Sequence, residues 1–434
     1  MQRVRTFILH PATIFAAALL LRVGLLAFGI AARPHSAGHI PFLNETGCIA
    51  RAIAEGRGFS SPLIINSGPT AWTTPLYPYL LAGIFKIFGI ETLRSEIAIK
   101  VCNDLFSALV CFPLYAVGKK LFGTIVGALS AWVWAFLSSA IYFANAWVWD
   151  TSLSALALTA VLWATYEVEE RPKVGPWAAY GALCAVAVLV NAALLAVLPG
   201  LLCYLAYRVH RLGVAWMKLP IVAVLAFAIG VSPWIIRNQI VFHGQVLFKS
   251  TFGVALWLGN NPQVPDTWSW WLHPTENAEE AAEYRRMGEV PYMQEKEKLA
   301  FAFIKAHPAD ALRFDFHRFM YTWTESWEPI ADVWHLSALP ILLTVCWNYL
   351  FALLALVGLL LARRAAPIRY LPLLIICVFF PLLFYVSVST PRYRHPIDPT
   401  LTLLAVYSAT QIVLMVSRKF QPTAALQRSV EIPG

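Results

Sequence analysis

The sequence predicts an all-α polytopic membrane protein with about ten transmembrane helices and interfacial helices in a long first outer loop. Three observations predict it. Of 434 residues, 59% are hydrophobic and only 13% are charged, whereas a soluble domain carries roughly 25% charge. The mean hydropathy is +0.62. Apolar runs of spanning length recur near 12–32, 97–117, 122–143, 151–167, 177–190, 192–207, 219–236, 337–362, 370–388 and 396–416. Finally, with the N-terminus inside, Arg3/Arg5, Lys119/Lys120, Arg171/Lys173, Arg208/Arg211/Lys218, Arg363/Arg364/Arg369 and Arg418/Lys419 all fall on the inner side. The chain divides into an inner N-terminus (1–11), a membrane domain (12–416) with long outer loops at 33–96 and 237–336, and a short inner tail (417–434).

The first run is about as long as the ~20 residues a span needs and longer than a signal core, so it reads as a retained helix. Arg22 lies mid-span there, and Asp104 lies in the second span. Counted from the outer ends they sit roughly 15 and 10 Å deep at 1.5 Å per residue. Intramembrane charges are usually paired, so a structural Arg22–Asp104 pair is expected.

In the first outer loop, Asn44 is a good N-cap, Glu45 opens a short helix and Gly56 ends it. Glu45 is favoured there by the helix dipole, and it is also a candidate general base. The segment Thr73–Gly89 is apolar but short, and a full span there would invert every later loop. It reads as a helix at the interface. Asp150 stands in the short outer turn 144–150, which holds no Lys or Arg. Two acids on one face, from separate loops, form a candidate base and orienting pair. The second long loop opens with Arg237 and Asn238 and continues with helical spacing at Leu299, Phe303 and Ile304, and at Leu312, Phe316 and Phe319.

STPRYRHPIDP (Ser389–Pro399) places Arg392 and Arg394 in a short outer loop, against the charge trend, between prolines. Non-helical backbone at membrane depth is tolerated mainly where it lines a cavity. Paired guanidinium groups there suit a phosphate, and Arg237 and Lys249 add charge to the same outer cavity. Tryptophan gathers toward the outer side, as an aromatic belt or as cavity walls for a sugar ring or isoprenoid chain. There is no Walker loop, GxGxxG turn or zinc-type pairing, and the net charge of +9 reads as inner-loop charge rather than nucleic-acid binding. The seven cysteines suggest no disulfide framework. His35, His39, His243, His273 and His395 lie outside without metal-ligand spacing. No cofactor is required; a divalent cation is compatible with the sequence but nothing indicates one.

Taken in order, several segments resemble the GT-C superfamily of integral-membrane glycosyltransferases. These are LLRVGLLAF, NETGCIARAIAEGRGFS, GPTAWTTPLYPYLLAGIFKIFG, GKKLFG, Asp150 before a span, SPWIIRNQIVFHG, LWLGNNP and PRYRHPIDP. The likeness is to the bacterial branch similar to protein O-mannosyltransferases and the lipid A aminoarabinose transferase (glycosyltransferase family 39-like, dolichyl-phosphate-mannose-protein mannosyltransferase-like). It implies a GT-C fold and transfer of a sugar from a polyprenyl-phosphate donor to a glycolipid, polysaccharide or protein acceptor. The membrane would be a bacterial inner membrane, with both termini cytoplasmic and the active site periplasmic. It places Glu45 near the acceptor nucleophile, Asp150 in support, and Arg392 and Arg394, with Arg237, at the donor phosphate. Tyr393, His395, Asn238 and Trp149 are candidate substrate-binding residues. The chain departs from the family by a lone Glu45 where Asp is common, by Thr73 and Thr74 where a basic residue often stands, and by Asn191 where many relatives have Arg. Two other classes stay open: a glycolipid transporter or flippase, and a degenerate transferase that only binds lipid-linked sugar. A transporter concentrates polar groups at mid-membrane, whereas here they gather at the outer rim.

Overall fold

The computed structural model describes residues 7–32, 42, 44–213, 217–324 and 338–419. Arg3, Arg5, His35, His39 and the tail beyond 419 lie outside the described residues. Among the described residues the chain is helical, with a single isolated β-bridge between Ser60 and Pro69. Six helical segments are long and apolar enough to cross a membrane: Pro11–Ala31, Leu93–Phe122, Ala192–Arg211, Lys218–Val241, Cys346–Ala365 and Pro391–Ser417. Thr124–Phe136 and Ser138–Asn145, bent by 49° at Leu137, make a seventh if taken as one span. The remaining expected runs are helical too, as Thr151–Val168, Val174–Val190, and Leu371–Phe379 followed by Leu382–Val386.

One core fills the membrane domain, with Trp134, Trp177 and Tyr166 fully buried in it. Helices approach closely where a side chain is missing. At Gly358 an added Cβ would come within 2.0 Å of the Leu404 carbonyl oxygen, so the Ala338–Ala365 and Asp398–Lys419 helices touch backbone to backbone.

The expected Arg22–Asp104 contact pair does not close within 4.0 Å, although the two charges interact. Arg22 is fully buried, and its Nε donates to Ser107 Oγ at 3.0 Å. Its two terminal nitrogens donate to the carbonyls of Ala18 (3.1 Å), Ala135 (2.9 Å) and Trp134 (3.2 Å). The reason is the break at Leu137. A helix that ends there leaves its last carbonyls without intrahelical partners. Arg22 caps them, so its donors are already engaged and do not reach the Asp104 carboxylate.

The two long loops form a second layer at one end of the bundle. Their shared core contains Ile49, Trp72, Trp234, Leu258, Tyr284 and Tyr292. Buried Glu289 joins them: it accepts from Ala71 N–H at 2.7 Å, from Tyr284 O–H at 2.7 Å, and from the Thr70 hydroxyl. The first loop supplies helices Glu45–Ala54 and Leu76–Phe88; the second supplies Phe252–Gly259, Ala278–Met287, Glu289–Ala306 and Pro308–Thr324. Leu312 and Phe316 stay exposed on the last of these.

Candidate active site

Glu45 is the first residue of the Glu45–Ala54 helix. Asn44 caps that helix by accepting from Gly47 N–H at 2.9 Å. The free N–H groups there give a carboxylate a favourable, rigid seat. Gly56, at φ +82°, lies just beyond the helix end in a backbone region that glycine enters freely. The Glu45 Oε1 atom lies 3.3 Å from His273 Nε2, which comes from the other long loop. His273 Nδ1 accepts from the Thr275 N–H at 3.2 Å. Burial lowers the His273 pKa below its ordinary value, with Arg392 and Lys249 adding to that shift and Glu45 and Glu276 opposing it.

Asp150 stands at the N-cap of the Thr151–Val168 helix. Its Oδ2 accepts from the Ser154 hydroxyl at 3.2 Å. Ser154 Oγ in turn accepts from Asn191 Nδ2 at 3.2 Å. Asn191 occupies the break between Val174–Val190 and the following 3₁₀ turn, where its Oδ1 caps Ala193 N–H at 3.0 Å. Two helix ends thus fix the orientation of Asp150. Burial raises the Asp150 pKa above the ordinary carboxylate value, and Arg392 and Lys249 oppose that shift.

Arg392 lies on the short Pro391–Arg394 turn. The preceding stretch is anchored to the second loop. Arg318 donates to the Tyr385 carbonyl, Asn260 Nδ2 donates to the Val386 carbonyl at 2.9 Å, and the Thr322 and Ser389 hydroxyls pair at 2.7 Å. A Cβ on Gly259 would sit 1.8 Å from the Ser387 carbonyl oxygen, so only glycine permits this contact. Arg392 itself is held by rings. Its guanidinium carbon lies 4.2 Å from the Trp149 ring centroid and 4.9 Å from that of Tyr393. Trp149 stacks on Trp147 at 4.7 Å, and Tyr393 stacks on Phe384 at 4.8 Å. Its hydrogen bond runs from Nη2 to the Tyr393 hydroxyl at 3.2 Å. Among the described residues no carboxylate lies within 4.0 Å of Arg392 or of exposed Lys249, although the Arg392 charge interacts with both Asp150 and Glu45.

The other sequence candidates are engaged differently. Arg394 is buried; its Nε donates to Asp398 at 2.9 Å and Nη1 to the carbonyls of Thr322 and Trp323 at 3.4 and 3.3 Å. His395 Nδ1 lies 2.9 Å from the other Asp398 oxygen, and the ring packs against Trp134 and Phe143. Together they brace the turn that carries Arg392. Arg237 donates to the carbonyls of Phe59 and Thr70 at 2.9 and 2.7 Å and is enclosed by the Phe59, Trp234 and Phe242 rings. Asn238 accepts from Arg237 and donates to the Leu247 carbonyl, both at 2.9 Å. These two residues clamp the first loop to the Lys218–Val241 helix. The structure therefore groups Glu45, Asp150, Trp149, Arg392 and Tyr393, and adds His273 and Lys249. Sequence reasoning offered Lys249 only as added charge in the outer cavity and gave His273 no role. The available signals were weak: a histidine beside the WSWW run and a lysine in an outer loop, each far along the chain from its neighbours in space.

A cavity of about 590 Å³ opens beside this turn, lined by Tyr142, Phe143, Trp347, Phe351, Pro391 and Arg394 among others. Tyr142 connects it to the ring stack by accepting from Trp147 Nε1 at 2.9 Å. Among the described residues no group of three His, Cys, Asp or Glu side chains is placed to hold a metal ion.

Residues 72–236 match the family described as dolichyl-phosphate-mannose-protein mannosyltransferase. No curated protein is similar enough to the chain to count as a match. Solved structures are similar over nearly all of it. The Archaeoglobus fulgidus oligosaccharyltransferase in complex with Zn and sulfate aligns at TM-score 0.55 and 12% identity, covering 94% of this chain and 50% of that one. The AglB oligosaccharyltransferase of the same organism, with an inhibitory peptide and a dolichol-phosphate, aligns at 0.52 and 13%, covering 98% and 52%. ArnT from Cupriavidus metallidurans, bound to undecaprenyl phosphate, aligns at 0.50 and 16%, covering 94% and 63%. The chain spans half to under two-thirds of the length of these proteins. The fold is that of these oligosaccharyltransferase and ArnT structures.

Proposed function

We propose that this chain transfers a sugar from a polyprenyl-phosphate donor to an acceptor at the end of the bundle that carries the long loops. The observation that carries this reading is the ring-held Arg392. A guanidinium fixed by stacking, with no carboxylate bound among the described residues, keeps its hydrogen-bonding edge for a phosphate. The family match and the lipid phosphates bound by two proteins of the same fold support it. The adjoining cavity, walled by Tyr142, Phe143, Trp347 and Phe351, offers apolar surface to the lipid chain.

In this reading the acceptor hydroxyl oxygen attacks the anomeric carbon while Glu45 takes its proton. The bond from that carbon to the phosphate oxygen breaks, and the electron pair leaves with the polyprenyl phosphate. Arg392, with Lys249 further out, stabilises the charge that grows there. Asp150, fixed by Ser154, orients the reacting groups and balances the cations. A single displacement inverts the anomeric centre. The membrane side is periplasmic if the charge pattern of the short loops sets the orientation. A Zn ion accompanies one protein of this fold; among the described residues no three-ligand cluster is placed for one, and no step is routed through a metal.

The test is transfer from labelled polyprenyl-phosphate sugars by purified protein in membranes, with release of polyprenyl phosphate as the readout. Donor-dependent release that disappears in Glu45→Gln supports the reading. Binding of the donor with no release by wild type, over a panel of sugars and acceptors, sinks it in favour of a binding protein.

A further inference from the structure

We propose that His273 is a positioning residue for Glu45: its Nε2–H holds one carboxylate oxygen and leaves the other aimed at the acceptor hydroxyl. This rests on the transferase reading above. The tautomer follows from the backbone N–H of Thr275. The Thr275 N–H donates to Nδ1 at 3.2 Å, and the Thr275 hydroxyl lies 2.7 Å from the same atom. Nδ1 is therefore the acceptor, and the neutral ring carries its proton on Nε2, 3.3 Å from Glu45 Oε1.

The mounting is rigid. The His273 carbonyl accepts from Glu276 N–H at 2.8 Å and Asn277 N–H at 2.9 Å. Asn277 then caps the Ala278–Met287 helix by accepting from Glu279 and Glu280 N–H, both at 3.0 Å. The ring edge meets Trp72 at 5.7 Å between centroids. Glu45 and His273 thus stand beside two helix N-termini, one from each long loop, and their 3.3 Å contact joins the loops at the site.

Charge decides what the imidazole does. Four charged groups act on it: Glu45 from the first loop, Glu276 from its own turn, Lys249 from earlier in the second loop, and Arg392 from the final turn. Burial and the two cations prevail over the two acids, so the ring stays neutral near pH 7. A neutral donor orients a carboxylate without cancelling its charge, and Glu45 keeps its strength as a base. When acid protonates the ring, the contact becomes an ion pair that stabilises carboxylate and so weakens the base.

Two measurements on the full chain in nanodiscs test this. The first is ¹³C NMR titration of labelled histidine, with His273 assigned by His273→Gln. Glu45→Gln removes a carboxylate that favours the protonated ring, so the His273 pKa should fall; an unchanged value overturns the contact. The second is transfer from undecaprenyl-phosphate mannose, or from whichever sugar of the panel turns over. His273→Phe should lower kcat about tenfold or more, with donor KM within about twofold. His273→Gln keeps an N–H donor, so it should restore most of that rate and remove the histidine's part of the acid limb. Wild-type kcat in His273→Phe, or a glutamine variant no better than phenylalanine, overturns the role. If the NMR coupling is present but no donor is transferred by wild type, the transferase reading fails and the positioning role falls with it, leaving a structural contact.

Discussion

The two ends of the Thr151–Val168 helix treat charge in opposite ways. At its far end Lys120 pairs with Glu167 (3.2 Å) and Glu170 (2.9 Å), while Arg369 pairs with Glu169 and Glu170, both at 2.8 Å. Arg208 lies 3.3 Å from fully buried Glu169. Each cation has its anion, and the network ties four segments together at this end of the bundle. At the near end, about 27 Å away for 18 residues at 1.5 Å each, Arg392 and Lys249 stand near Asp150 and Glu45 without closing an ion pair. Closed pairs neutralise and brace. Open ones leave a field that a ligand completes. Charge alone does not mark a functional site; charge left uncompensated in a fixed geometry does.

That contrast can be broken by exchanging the expected effects. Glu45→Gln should remove transfer by about 10²- to 10⁴-fold, the usual worth of a general base, with expression and melting temperature unchanged. A loss of folding instead would place Glu45 with the braces. Glu169→Gln should do the reverse. Removing one partner of a buried pair costs about 3–5 kcal/mol, so thermal stability should drop sharply while undecaprenyl phosphate still binds; a normal melting curve would refute the bracing role.

Smaller changes sharpen the comparison. Arg392→Met should weaken undecaprenyl phosphate binding by about tenfold or more, since hydrogen bonds to charged groups contribute about 1.5–3 kcal/mol. Unchanged affinity would remove the phosphate assignment. Asp150 has a raised pKa, so falling pH protonates it sooner than an ordinary carboxylate. The acid limb of transfer should therefore lie above the usual carboxylate range, and Arg392→Gln, which removes an opposing cation, should move it higher still. A limb near pH 4 or below in wild type would contradict this. Lys249 is exposed, and water and salt screen it. Lys249→Gln should change donor affinity only a few-fold, and raised ionic strength should erase the difference.

Much of the fold is legible in the sequence because its signals are local. The apolar runs are helices, and Asn44 and Gly56 bound the Glu45 helix as their chemistry requires. The candidate site is legible only in part. Sequence shows where a charge is but not what consumes it. Arg394 and Arg392 look alike two residues apart, yet one meets Asp398 a single helical turn away and the other, among the described residues, meets the Trp149 ring and the ring and hydroxyl of Tyr393. Arg237 carries the same guanidinium, but the carbonyls it meets belong to the distant first loop. His273 has no local signature at all, because its relation to Glu45 exists only once the two long loops have joined.

Arg22 has a consequence for how the chain is built. The first helix is strongly apolar, with a hydropathy of 2.3, and can enter the bilayer despite a central arginine that costs about 2.5–3.5 kcal/mol on insertion. The carbonyls it will cap at Trp134 and Ala135 lie 112 and 113 residues further along. During synthesis they do not yet exist when the first helix arrives. Arg22 must therefore wait, reaching toward headgroups or water, until the broken helix emerges beside it. The same residue that locks the finished bundle thus imposes an order on its assembly.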